Sequence, residues 1–231
     1  MGIFDRRSAH DEATASDDSA FGAAGTRLVE RLLDVGIDGR GRFDSAADVA
    51  AQAMRRRSDP ERAIDDIVAE HLKLAAAGGF VTGLGGFVTL PVALPANVAG
   101  FYIVATRMAA AIAAVRGYDV TDPATRSAIL LSLVGADAED LLRKAGKAST
   151  GRLANLAAER LPGPVLMAVN KGVGFRLVTQ TGKRVFSRFG RGVPFLGGAL
   201  GAGLDTWAMR KIADHVRSEF PRRDTLALDA R

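Results

Sequence analysis

The chain has 231 residues, with 31 Lys plus Arg against 26 Asp plus Glu, 26 glycines, three histidines and no cysteine. That composition excludes a disulfide framework and a thiolate nucleophile, and three scattered histidines do not suit a multi-histidine zinc centre. The net charge of +5 is unevenly spread: residues 1–73 carry net −4 and residues 143–231 carry net +11.

Residues 1–23 are small and polar and read as a flexible N-terminal arm. Arg6 and Arg7 are followed by Asp11, Glu12, Asp17 and Asp18 where a secretory signal would need an apolar run. The expected location is therefore the cytoplasm, including the inner face of the cell membrane. Residues 24–220 read as one helical domain, and residues 221–231 as a loose charged tail.

A first helix is expected over Ala24–Val35, broken by Gly36, Gly39 and Gly41. Ser45, with Asp48 in the first turn, starts a second helix through Met54. Ser58-Asp59-Pro60-Glu61 starts a third, with either a Ser58/Glu61 capping box or an Asp59 cap before Pro60. Ile64, Ile67, Val68, His71, Leu72 and Ala75 then recur at helical spacing.

Leu74 through Thr106 is a run of 33 residues with no formal charge. Gly79 and Gly83 form a G-x-x-x-G pair, followed by Gly85 and Gly86. Small residues at this spacing let another helix approach closely, in lipid or in a protein core. Pro91 and Pro95 are expected to interrupt the helix, and Ala96–Val115 is one apolar helix holding the single charge of Arg107. The two arms resemble a Gly/Ala-rich helical hairpin, which can be buried in protein, lie shallowly in lipid or span a bilayer.

Asp122 caps the next helix with Pro123 at its first position, and a further segment continues through Leu141 and Leu142. Arg152–Arg160 reads as helical, and Pro162-Gly163-Pro164 as a break. Val165–Phe189 is apolar and basic, with Gly172, Gly174, Gly182 and Gly190 expected to divide it into short pieces. Its Phe186 and Phe189, among Lys183, Arg184, Arg188 and Arg191, can form an interfacial amphipathic element or a surface face packed on a core. A last helix is expected over Phe195–Phe220, opening with the close-packing pair Gly197 and Gly201. The fold class is thus all-α: a compact multi-helix domain with an apolar helical hairpin and a glycine-rich C-terminal helix.

The string Gly78-Gly79-Phe80, Thr82-Gly83-Leu84-Gly85-Gly86-Phe87, Thr89-Leu90-Pro91, Leu94-Pro95 resembles the signature of the EcsC family. Arg116-Gly117-Tyr118-Asp119 and Val193-Pro194-Phe195-Leu196-Gly197-Gly198 extend the resemblance over residues 60–218. Asp205 departs from the Asn that the pattern leads one to expect. The resemblance implies a mostly helical bacterial protein in a membrane-linked setting, with no catalytic residue to carry over.

The residues alone assign no catalytic group, metal site or cofactor. His71 and Lys73 with Asp119 and Asp122 would permit acid–base chemistry if the hairpin brought them together. The glycine strings lack the Lys-Ser/Thr ending of a phosphate-binding loop. Nucleic acid is not expected, because Phe175, Phe186 and Phe189 are explained by packing. Arg107 and Asp205 are candidates for a buried polar pair. Arg160 through Leu204 contains no acidic residue, so an anionic phospholipid surface, a membrane protein complex or an acidic protein is the expected partner, met by Lys183, Arg184, Phe186, Arg188, Phe189 and Arg191. The leading expectation is a nonenzymatic helical protein, peripheral membrane-associated or membrane-complex-associated, with no specific role defined. A soluble interaction module with the hairpin buried and an enzyme with a polar site near the hairpin are the alternatives.

Overall fold

A computed structural model describes residues 23–41, 43–84, 86–146, 153–158, 162–186 and 194–223. Among them every regular element is helical, and no strand occurs. Helix α1 covers residues 23–31 and continues as a π-type turn, Leu32–Ile37. It is followed by α2 (Ala46–Arg56), α3 (Pro60–Leu84), α4 (Gly86–Val115) and α5 (Pro123–Val134). A 3-10 turn (Gly135–Asp137) leads to α6 (Ala138–Lys144), α7 (Leu153–Ala158), α8 (Gly163–Phe186) and α9 (Pro194–Glu219).

The starts of these helices follow side-chain chemistry. The Asp48 N–H donates to Ser45 Oγ at 3.1 Å, the Arg62 N–H to Asp59 Oδ1 at 2.9 Å, and the Thr125 N–H to Asp122 Oδ2 at 2.9 Å. Asp59 rather than Ser58 is therefore the cap of α3, with Pro60 in the first turn where its missing N–H costs nothing. Gly135, at φ 59°, ends α5 in a conformation other residues disfavour.

Helix α4 is the centre of the domain. It packs against the α1 turn and against α2, α3, α5 and α9. Ala105, Thr106 and Met108 through Ala113 are fully buried, so its second half, Thr106 and Arg107 apart, is apolar because protein surrounds it. Val98–Val115 has the length and composition of a membrane span, and half of it is buried inside this protein. Helix α5, buried almost all round, joins this centre to α7 and α8, and α6 packs on α8.

Three expected breaks are not breaks. The chain stays helical through Gly36 as far as Ile37, because a Cβ at Gly36 would lie 2.9 Å from Thr106 Cβ; the glycine admits α4. Helix α4 runs through Pro91 and Pro95. Prolines four apart place their two missing hydrogen bonds along one side of a helix and leave the remaining ladder in place. Helix α8 likewise runs through Gly172, Gly174 and Gly182. A Cβ on Gly25 of α1 would lie 2.7 Å from the Gly174 carbonyl carbon, and one on Gly172 2.9 Å from Leu141 Cδ2. These glycines serve contact between helices.

Candidate functional site

Helices α3 and α9 run antiparallel. Asp65 near the start of α3 meets Arg217 near the end of α9 at 2.7 Å, and Gly79 near the end of α3 meets Gly201 near the start of α9. The approach at the glycines is backbone to backbone: a Cβ on Gly79 would lie 2.5 Å from the Gly201 carbonyl oxygen. No side chain larger than hydrogen fits there without moving a helix.

Asp205 lies one turn beyond Gly201. Its Oδ2 is 2.8 Å from where a Gly79 Cβ would stand. Burial pushes its carboxyl up to about 6, and no charged neighbour among the described residues offsets that cost. Around the crossing, large apolar side chains face outward. Phe80 and Val81 are exposed on α3. On α9, Leu200, Leu204 and Trp207 are 65%, 41% and 58% exposed. At 100° per residue these three lie opposite the buried stripe of Met209, Ala213 and Val216. The outer face of α9 is thus apolar in its first half, and it turns polar at Lys211, Asp214 and Ser218.

A second polar feature lies lower on α3. His71 is buried, and its Nδ1 meets the Ile67 carbonyl oxygen at 2.8 Å while Nε2 has no partner. Arg107 is 8% exposed, and its Nε also lacks a partner. Its guanidinium carbon sits 5.0 Å from the centre of the Phe43 ring. Burial lowers the pKa of both groups, and the Arg107 charge lowers that of His71 further. Glu70 and Asp44 act on Arg107 in the opposite direction.

Arg107 and Asp205 make no pair. Glu70 and Asp44 raise the pKa of Arg107, and among the described residues no charge acts on Asp205. The helical register explains the separation. Glu70 of α3 acts on Arg107, whereas Asp205 meets Gly79, nine residues further along the same helix. His71 and Asp119 are separated in the same way. Asp119 follows Arg116, which binds Glu61 in the first turn of α3, ten residues before His71. Asp119 accepts from the Thr121 N–H and hydroxyl, mainly the latter holding its carboxyl below the usual range, and Asp122 is a cap.

Of the residues expected to meet a partner, Lys183, Arg184 and Phe186 lie in α8 with side chains outside the described part, and Arg188, Phe189 and Arg191 lie outside the described residues. Gly83, Gly86, Pro91 and Pro95 belong to α3 and α4 and Gly197 to α9, while Gly85 is outside the described residues. Arg176 faces Asp137 and Asp140 at 3.8 Å, so part of the basic charge on α8 is answered within the fold. The outward stripe of α9 and the Phe43 cover over Arg107 went unrecognised in the sequence. Leu200, Leu204 and Trp207 recur at i, i+4 and i+7, and that spacing was the available signal.

Fold and site together define an all-α domain wrapped on one long apolar helix, with an apolar helix crossing at one end. Over residues 37–223 the chain matches the EcsC protein family, and it belongs to that family. No curated protein and no solved structure matches it.

Proposed function

We propose that this chain is a nonenzymatic, peripheral membrane-associated protein that rests on the anionic inner face of a membrane through the α3–α9 crossing. The observation that carries this reading is the outward apolar face of α9, where Leu200, Leu204 and Trp207 stand exposed. A large exposed aromatic beside two leucines suits the headgroup boundary of a bilayer, where an indole is favoured. The supporting feature is charge. Arg160 through Leu204, which leads into this face, contains seven basic and no acidic residues. Such a segment draws an anionic surface through its long-range field. In this reading Lys183, Arg184, Arg188 and Arg191 meet phosphates, and Phe186 and Phe189 meet the acyl boundary.

Co-sedimentation with vesicles of neutral phosphatidylcholine, and with vesicles containing phosphatidylglycerol, tests the reading. Binding to the anionic vesicles that weakens with salt, and that falls at least tenfold in a Leu204→Ser, Trp207→Ser double variant, is expected. Equal and negligible binding to both vesicle types would sink it.

A second reading, a soluble interaction module, draws on the full burial of Ala105 and Met108 through Ala113. It places the whole of α4 inside protein and gives the α9 face to a protein partner. Capture by an acidic protein without vesicle binding would favour it.

A further inference from the structure

Two long stretches of the chain carry no formal charge: residues 74–106, which include the end of α3 and most of α4, and residues 192–204, which open α9. The fold brings their described parts together at the α3–α9 crossing, where Gly79 touches Gly201. Asp205 is the first formal charge after the second stretch, and its carboxylate points at the crossing itself. Helix α3 offers it no charge between Leu74 and Leu84; the nearest are Lys73 and Glu70, further down the helix. Helix α4 offers none before Arg107, which faces Glu70 and Asp44. Helix α5, which also touches α9, carries only Arg126, held by Asp38 and the Val120 carbonyl oxygen. On α9 the next charges are Arg210 and Lys211.

We infer that protonation of Asp205 controls how deeply the α3–α9 crossing enters a membrane, so that the contact is shallow at neutral pH and deepens on mild acidification. The inference rests on the membrane reading proposed above and adds its regulation. With Asp205 ionised, a carboxylate with no charged partner among the described residues sits at the base of the apolar end, and transferring it to hydrocarbon is opposed by the loss of its water. With Asp205 neutral, the described residues of the crossing hold no charge, and the packed helices can sink together. Burial already favours the neutral form, placing the change near pH 6 rather than in the ordinary carboxylate range.

Trp207 is the only tryptophan in the sequence and lies two residues from Asp205, so its fluorescence reports the depth of this surface. The full chain is mixed with phosphatidylcholine–phosphatidylglycerol vesicles carrying brominated acyl chains, at pH 7.5 and at pH 5.0. Wild type is expected to sediment with vesicles at both pH values, with bromine quenching of Trp207 rising at least threefold at pH 5.0. Asp205→Asn should show the deep, quenched state already at pH 7.5, and Asp205→Glu should keep the pH dependence. Any change with pH that remains in Asp205→Asn measures the histidines and the lipid headgroups. Circular dichroism of each variant checks that it is folded, and Asp205→Ser, which also removes the carboxyl, carries the test if the Asn variant is not. Vesicle binding with the same quenching in wild type and Asp205→Asn at pH 7.5 overturns the inference and spares the membrane reading. Absence of sedimentation for wild type and variants at either pH overturns both.

Discussion

Glu61, in the first turn of α3, binds Arg116, one residue past α4, through both carboxylate oxygens at 3.0 Å. Nη1 of the same guanidinium donates to the carbonyl oxygens of Arg217 and Phe220 at 2.6 and 2.7 Å. One side chain therefore ties the start of α3, the end of α4 and the end of α9. It also places positive charge on carbonyls that have no helical donor. Arg116→Met leaves those carbonyls and Glu61 without it, and we expect a loss of about 2–4 kcal/mol in urea denaturation. Arg116→Lys should recover less than half of that, because an ammonium cannot hold the carboxylate by two bonds while reaching both carbonyls.

The glycine crossing predicts opposite signs for one substitution at two sites. Gly79→Ala pushes a methyl group into the backbone of α9, and we expect a net loss of about 1–3 kcal/mol. Gly203→Ala, on the same α9 two residues from Gly201, meets nothing within 4 Å and should gain up to about 1 kcal/mol from helix propensity. Thermal melts of the two variants decide it. A gain at both positions would mean that the helices do not touch at Gly79.

Two titrating groups, His71 buried and Asp205 half-buried, give stability opposite slopes with pH. Asp205, raised to about 6, contributes stability that is present at low pH and is lost as pH rises through that value. His71, lowered chiefly by burial, contributes stability that is present above its ordinary value and is lost as pH falls through its folded value. Denaturation at pH 7.5, 6.5 and 5.5 separates them. Asp205→Asn should remove the gain on acidification, about 1 kcal/mol for a partly solvated carboxyl. His71→Gln should steepen that gain.

Arg107→Met keeps the length of the side chain and removes a charge that the fold desolvates without bonding Nε. We expect stability to be unchanged or to rise by about 1 kcal/mol, since filling such a site with an apolar chain is neutral or favourable. A loss of about 3 kcal/mol or more in denaturant would show that the guanidinium is bonded in solution.

What was legible in the sequence is mostly what local chemistry decides. Ser45, Asp59 and Asp122 are short acceptors placed just before periodic apolar residues, and each caps the helix it announces. The apolar helix holding Arg107 was readable from composition, whereas the helices surrounding its second half were not, because that depends on elements far along the chain. The glycines misled for a related reason. Gly36, Gly172 and Gly174 look like helix breaks when local propensity is weighed alone, but contact with Thr106, Leu141 and Gly25 offsets that propensity. Arg107 and Asp205 were each recognisable as charges in apolar surroundings. That they reach different parts of α3 follows from its register against α4 and α9, which no single segment encodes.

The antiparallel pairing of α3 with α9 also sets an order of events during synthesis. Gly79 leaves the ribosome more than a hundred residues before Gly201, its contact across the crossing. At about 5–20 residues per second, the apolar end of α3 waits roughly 10 s for its partner. Throughout that interval Leu72 and Ala75, buried in the finished domain, stand on a helix with one of its two long neighbours still unmade. The nascent chain is thus exposed to a chaperone or a bilayer before the finished domain exists.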